Sequence, residues 1–170
     1  LPTAPWAIKI SGTHVGFPPP YIIKPVCEEA SVDIDGHAVF FDEVSAATCL
    51  MRKNALQSNY FIEHFVRGRE FNVSILPTPH GPWVLPPAEI LFDSYPDDKL
   101  RIVGYRAKWD AESFEYSHTV RTFDFPPQDA PLIARITALS MRCYRQMEMT
   151  GYARVDFRVT PCGQPIILEI

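Results

Sequence analysis

No apolar run in the sequence approaches the ~20 residues of a membrane-spanning helix, and no hydrophobic leader stands at its start. There is no Cys-x-x-Cys pair either. Cys27, Cys49, Cys143 and Cys162 are scattered without a histidine pair nearby, so reduced thiols in a cytosolic protein are expected rather than a zinc site. The five histidines are equally dispersed, and none is assigned chemistry. A basic excess is missing too. The formal net charge is −4, with both signs spread along the chain, so nucleic acid is not an expected partner and neither is a membrane.

Proline, by contrast, is abundant: 17 of 170 residues, about twice its usual ~5% share, which favours short strands and loops over a helical bundle. The length suits one domain, or two small lobes of one, with a sizeable core. The chain starts at Leu1 and stops on Ile170, mid-strand by pattern, and is expected to be part of a longer polypeptide.

Residues 1–16 have weak periodicity and form an irregular entry segment. Pro18-Pro19-Pro20 leads into Tyr21-Ile22-Ile23-Lys24-Pro25, a short apolar strand ending in a lysine, and the loop Val26 to Asp33 follows. Asp35-Gly36 marks a turn, and Val39 to Phe41 pairs back as a strand. Asp42 to Asn54 reads as a helix with Val44, Ala47, Leu50 and Met51 on its apolar face. Tyr60 to Val66 is a strand-length apolar run interrupted by Glu63 and His64. Arg67-Gly68 is a turn signal, and in the next strand Phe71, Val73 and Ile75 alternate with Asn72, Ser74 and Leu76. Glu63 and Glu70 flank this turn. Lone charges are costly in a buried strand, so the stretch is either a hairpin whose acids reach solvent or a hinge whose acceptors grip a ligand.

Short strands are expected at Trp83 to Leu85 and Ala88 to Leu91, then a polar, turn-rich segment from Asp93 to Lys99. Residues 101–122 have no clean period and read as a long loop around Lys108, flanked by Tyr105 and Trp109; loops of this length on a compact scaffold are more often functional than idle. Asp129 and Pro131 open the longest helix, expected to run to Gly151 with Leu132, Ile136, Leu139, Cys143 and Met147 buried. Finally Ala153, Val155, Phe157 and Val159 alternate with Tyr152, Arg154, Asp156 and Arg158. Pro165 to Ile170 returns, with Ile166, Leu168 and Ile170 assigned to the apolar face. If Thr160 pairs with Pro165, Asp156 falls opposite Glu169. Like charges facing across a sheet repel unless Arg154 or Arg158 joins them, or a divalent cation held by oxygen ligands does.

Four of these stretches occur in the order found in ATP-grasp enzymes, and the chain resembles the D-alanine–D-alanine ligase-like members of that superfamily. The stretches are YIIKPVCEEAS, NYFIEHFVRGREFNVSIL, YRAKW and GYARVDFRV with PIILEI. The phosphate loop departs from the family pattern, because Glu29 and Asp33 stand where glycines are usual and Ala30 replaces a serine. Trp109 stands where a tyrosine is usual.

The resemblance implies an α+β ATP-grasp fold, with two α+β lobes gripping nucleotide between antiparallel sheets: a small lobe over 17–66 and a large one over 67–170. A substrate lobe would precede Leu1, and a glycine-rich loop, preceded by an asparagine ligand at the next position, would follow Ile170. It implies ATP and Mg2+ (or Mn2+) as cofactors. Lys24, Ser31 and Lys108 would hold phosphates, Glu63 and the Val66 backbone adenine, Glu70 the ribose, and Leu168 would also contact the nucleotide. Asp156 and Glu169 would bind metal. Arg154 and Lys108 would be catalytic, in ATP-dependent joining of a carboxylate to an amine through an acyl phosphate. The partners implied are small amino-acid substrates, in the cytoplasm and in cell-wall peptidoglycan synthesis, with a homodimer of the full-length protein allowed. An ATP-grasp ligase for other acids and a non-catalytic nucleotide-binding module remain the alternatives.

Overall fold

A computed structural model describes residues 1–28, 31, 33–56 and 59–170. Along the chain these form β1 (Trp6–Ala7), β2 (Tyr21–Pro25), β3 (Val39–Phe40), α1 (Glu43–Ala55), β4 (Tyr60–His64), β5 (Arg69–Leu76), β6 (Trp83–Val84), β7 (Ala88–Phe92), α2 (Tyr105–Trp109), α3 (Phe114–His118), β8 (Thr119–Thr122), α4 (Ala130–Gln146), β9 (Ala153–Val159) and β10 (Pro165–Glu169). They divide into two compact units. One comprises Ala4–Phe65 and Phe92–Thr119; the other comprises Leu1–Thr3, Val66–Leu91 and Val120–Ile170. None of the helices in the described residues is long and apolar enough to cross a membrane.

In the first unit the sheet order is β1-β4-β2-β3, with every neighbouring pair antiparallel. The side of Tyr21, Ile23 and Ile62 is buried against Ala46 and Leu50 of α1. Asp42 caps that helix by accepting a hydrogen bond from the Ser45 amide at 2.8 Å, leaving one fewer unpaired N–H at its start. The buried face is Ala46, Ala47 and Leu50. The expected Val44 and Met51 are exposed instead, because two small alanines let the helix lie close to the sheet. The stretch Phe92–Thr119, expected in the second lobe, belongs to this unit: Leu100 and Ile102 pack on the cluster of Ile22, Ala38, Val39 and Phe65.

The second unit is a sheet ordered β10-β9-β5-β7-β8, with β6 added to β5. Its apolar side (Phe71, Val73, Ile75, Ala153, Val155, Phe157 and Val159) packs with Ile136, Cys143 and Tyr144 of α4. Each fully buried Phe or Val side chain there is worth about 1.5–3 kcal/mol. Helix α4 stops at Gln146, short of Gly151, and Met147 is exposed at its cap. Tyr144 takes the inward place expected for Met147, its hydroxyl donating to the Gly151 carbonyl at 2.8 Å.

β4 and β5 do not form a hairpin, since they lie in different sheets. The turn between them depends on Gly68, at φ +140°, where an added Cβ would lie 1.8 Å from the Val159 carbonyl oxygen. In the closing hairpin Pro165 pairs with Val159, Ile166 with Arg158 and Ile167 with Phe157, one residue out of the expected register. Ile167 therefore joins the cluster packed with α4, while Ile166 is buried outside that cluster and Leu168 is half-buried. A register shift between Ile167 and Glu169 then sets Glu169 opposite Asp156 after all.

The four cysteines are all free: Cys27 and Cys162 exposed, Cys49 half-buried and Cys143 buried. Burial pushes the Cys143 thiol up, whereas a hydrogen bond with Thr160 draws the Cys162 thiol down.

At the mouth of α4, Arg69 donates to both oxygens of Glu89 at 2.7 Å and to Asp129 at 2.7 Å. The Arg69 hydrogen bond holds the Asp129 carboxyl below its usual range. A carboxyl depressed on folding stabilises above its ordinary pKa and loses that contribution as pH falls through the folded value. Stability should therefore decline below about pH 4, near the ordinary aspartate value. In Arg69→Met the decline should be shallower and stability at pH 7 lower by about 2 kcal/mol, because the largely buried Glu89 loses its cation. Urea unfolding between pH 7 and pH 3 measures both. Gly68→Ala should lower stability by at least ~2 kcal/mol with m unchanged, from its positive φ and the carbonyl its Cβ would strike.

Candidate functional site

In the first unit Lys24 lies on the face of the sheet opposite α1. Its Nζ is 2.5 Å from Glu63 Oε2, and the two side chains are only 17% and 7% exposed. The strand register explains the pairing: Ile22 faces Glu63 and Lys24 faces Phe61, so Lys24 and Glu63 are diagonal neighbours on one face. Lys24 is thus not a solvated strand-end charge, and Glu63 does not reach solvent. Paired, they avoid the cost that a lone charge would carry there.

The loop after β2 runs against the approach to α2. Ser31 Oγ donates to the Val103 carbonyl at 2.9 Å, and the Tyr105 amide donates to the Ile34 carbonyl at 3.2 Å. Between them sits Gly104, where a Cβ would be 2.4 Å from Ile34 O. This close approach joins Ser31 to the helical turn that carries Lys108. Glu29 and Ala30, singled out in the sequence, lie outside the described residues.

Lys108 is on a five-residue helix, where a loop was expected. The amphipathic signal is too short to read in so brief a helix, and its cap is Gly104, with no side-chain hydrogen bond. Among the described residues Lys108 makes no ion pair, while its neighbours are pinned. Lys99 donates to Glu115 at 2.8 Å, and Arg106 Nε lies 3.5 Å from the other, buried oxygen of Glu115. The Lys99 hydrogen bond holds the Glu115 carboxyl below its usual range against the effect of burial. Nothing in the spacing of Lys99, Arg106 and Glu115 announced this brace.

In the second unit the face of β5 and β9 away from α4 carries the charged residues. Glu70 faces Arg158, Asn72 faces Asp156 and Ser74 faces Arg154. Arg158 is 2.7 Å from Glu70 and donates to the Gly68 carbonyl at 3.2 Å. Arg154 holds Asp156 in a two-pronged grip, both bonds 2.7 Å, and lies 3.7 Å from Glu169. Asp156 is buried, whereas Glu169 is exposed and Leu168 half-buried. The hydrogen bonds that Arg154 donates to Asp156 raise the Arg154 pKa. Val66, the first residue of this unit's second segment, is buried.

Asp156 and Glu169 offer two hard oxygen donors on neighbouring strands. Two carboxylates face each other in register, and the Arg154 guanidinium already supplies positive charge to both. No cluster of three or more His, Cys, Asp or Glu that could hold a metal exists among the described residues. Two carboxylates suit magnesium, which usually keeps several waters and phosphate oxygens in its octahedron.

The Gly104 contact gives a direct test. In Gly104→Ala the Tyr105 amide should lose its acceptor and exchange with deuterium at least ~10-fold faster, while amides of β2 and β4 keep their protection. Residue-resolved hydrogen exchange reads this.

A family model described as the D-ala D-ala ligase C-terminus matches residues 9–170. A D-alanine–D-alanine ligase from Anaeromyxobacter sp. (strain Fw109-5) is 27% identical over 165 residues, covering 96% of this chain and 47% of that relative. The crystal structure of D-alanine–D-alanine ligase from Bacillus anthracis superposes with a TM-score of 0.66 at 23% identity, covering 99% of this chain and 50% of that one. The VanG D-Ala:D-Ser ligase from Enterococcus faecalis superposes at 0.59 with 21% identity, over 91% of this chain and 40% of that one. The chain spans about half the length of the curated relatives it matches. With two α+β units in the ATP-grasp arrangement of strands and helices, and a family match over nearly all its residues, the chain belongs to the D-ala D-ala ligase C-terminus family.

Proposed function

We propose that this chain forms the ATP-binding and phosphoryl-transfer part of an ATP-dependent carboxylate–amine ligase of the D-alanine–D-alanine ligase type. The observation that carries the reading is the in-register pair Asp156 and Glu169 with Arg154 between them, on a chain of this family. In the reaction class, a carboxylate oxygen attacks the γ-phosphorus of ATP and ADP leaves. An amine then attacks the acyl carbon and inorganic phosphate leaves. Catalysis of the first step is mainly positioning and charge neutralisation.

The residues divide that work. Lys24 and Ser31 would bind phosphate from the first unit, and Glu63, with the Val66 backbone, would accept from and donate to adenine. Glu70 would accept from the ribose hydroxyls, held in orientation by Arg158. Leu168 would give the nucleotide an apolar contact. Asp156 and Glu169 would hold magnesium, which when bound offsets phosphate charge. Arg154, already poised on Asp156, would turn part of its guanidinium towards the transferring phosphate and stabilise charge there. Lys108 would add a second cation from a helix that Glu115 braces. The setting is a small-molecule ligase of the cytoplasm with amino-acid substrates, consistent with peptidoglycan synthesis.

A second reading, an ATP-grasp ligase for other amino acids, is favoured by Trp109. It stands exposed one residue beyond Lys108, where the family pattern has tyrosine. The two readings separate in an assay of phosphate release from ATP by the complete polypeptide, since this chain alone is expected to be inactive, against a panel of amino acids. Stimulation by D-alanine supports the first, and stimulation by a different amino acid supports the second. ATP binding with no turnover for any member of the panel would instead leave a nucleotide-binding module.

With the productive substrate pair in hand, Lys108→Ala should lower kcat by ~10²-fold or more with less than ~3-fold change in ATP affinity, since a charge that acts on the transition state is lost. Lys24→Ala should weaken ATP binding and turnover together. Normal turnover by Lys108→Ala would remove that lysine from the chemistry.

A further inference from the structure

Asp33 stands in a loop position that the family fills with glycine, and it brings a carboxylate to a place assigned to phosphate. Its backbone keeps the glycine-like conformation, with φ +57°, and Ser31 two residues earlier has φ +63°. Aspartate and asparagine are among the few residues that tolerate this region. The carboxylate itself is committed elsewhere. Lys53, in the last turn of α1, lies 3.1 Å from Asp33 Oδ2, and the Tyr60 hydroxyl at the start of β4 donates to the same oxygen. The Lys53 ammonium also sits 4.2 Å from the centre of the Tyr60 ring, where a cation is attracted by the ring face. The Tyr60 hydroxyl first, then Lys53, hold the Asp33 carboxyl below its usual range, so it is fully charged at neutral pH. As a structural ion pair this contact is weak, because the Asp33 and Lys53 side chains are 50% and 33% exposed. Its leverage is electrostatic, since an unneutralised anion within a Debye length (~10 Å) of bound polyphosphate repels it.

We infer that Lys53 and Tyr60 are positioning residues that draw the Asp33 carboxylate towards α1 and β4 and cancel its charge, so that a non-glycine loop can still accept a polyphosphate. This rests on the nucleotide-binding reading above. It also predicts an unusual pattern of rescue, in which removing the acid repairs the loss of the lysine.

The test is calorimetric binding of Mg-ATP and of adenosine to the wild type, Lys53→Met, Asp33→Asn and the double variant. Asparagine keeps the positive φ, so the loop conformation is retained. Lys53→Met should bind Mg-ATP about 10-fold more weakly and adenosine unchanged, because only the phosphates feel the exposed charge. Asp33→Asn should bind Mg-ATP at least as tightly as wild type, and the double variant should match Asp33→Asn within ~2-fold. A wild-type affinity for Mg-ATP in Lys53→Met would overturn the inference. So would weakening in Asp33→Asn that the double variant does not repair, which would make the triad a structural brace. Absence of Mg-ATP binding by the wild type would overturn the nucleotide reading itself, and this inference with it.

Discussion

The antiparallel pairing of β5 with β9 sorts the chemistry of the second unit. Seven residues face seven others from Arg69–Val159 to Ile75–Ala153, and the two-residue period of a strand sends alternate side chains to opposite sides. One side is Phe71, Val73, Ile75, Val155 and Phe157 under α4. The other is Glu70, Asn72, Ser74, Arg154, Asp156 and Arg158. A slip of β9 by one residue would turn its side chains over, placing Arg154, Asp156 and Arg158 against an apolar helix. The apolar packing therefore fixes the register, and the register fixes which acid meets which arginine. Burial on one side is what positions charge on the other.

In the first unit the constraint is different. Lys24 and Glu63 neutralise each other on a face that is otherwise apolar, with Ile22 and Phe65 beside them. The loop carrying Ser31 is tied to the segment carrying Lys108 by backbone and hydroxyl hydrogen bonds through Gly104. Phosphate-binding candidates distant in sequence share one scaffold, so a shift in one loop is transmitted to the other through a contact with no room for a methyl group.

Much of this was legible in the residues. The strict alternation of β9 and β5 showed both strands and the inward faces, because a half-buried strand has only one solution to its pattern. The helix start at Asp42 followed from capping chemistry and that of α4 from Pro131 in its first turn, whereas Asp129 makes no side-chain cap and meets Arg69 instead. The same alternation put Arg154, Asp156 and Arg158 of β9 on one face, while the roles expected of Arg154 and Asp156 came from the family resemblance. What failed to show has physical reasons. The β10 register depends on the turn before it and on an irregularity after Ile167, neither of which local sequence marks, so Ile167 rather than Ile166 packs in the cluster with α4. Helices α2 and α3 have five residues each, too few to display a period. The assignment of Phe92–Thr119 to the first unit is a matter of long-range packing through Leu100 and Ile102, invisible to any window along the chain. The Lys24–Glu63 pair joins residues 39 apart and needed the strand pairing to be known.

The distribution of thiols has a practical consequence. Cys27 is exposed in the first unit and Cys162 in the second, while Cys143 is buried with a raised pKa and Cys49 is half-covered. Alkylation proceeds through the thiolate, which the Thr160 hydrogen bond favours at Cys162. The chain thus carries an exposed thiol for a fluorophore on each unit. A dye placed on either thiol reports on its own unit without an engineered cysteine.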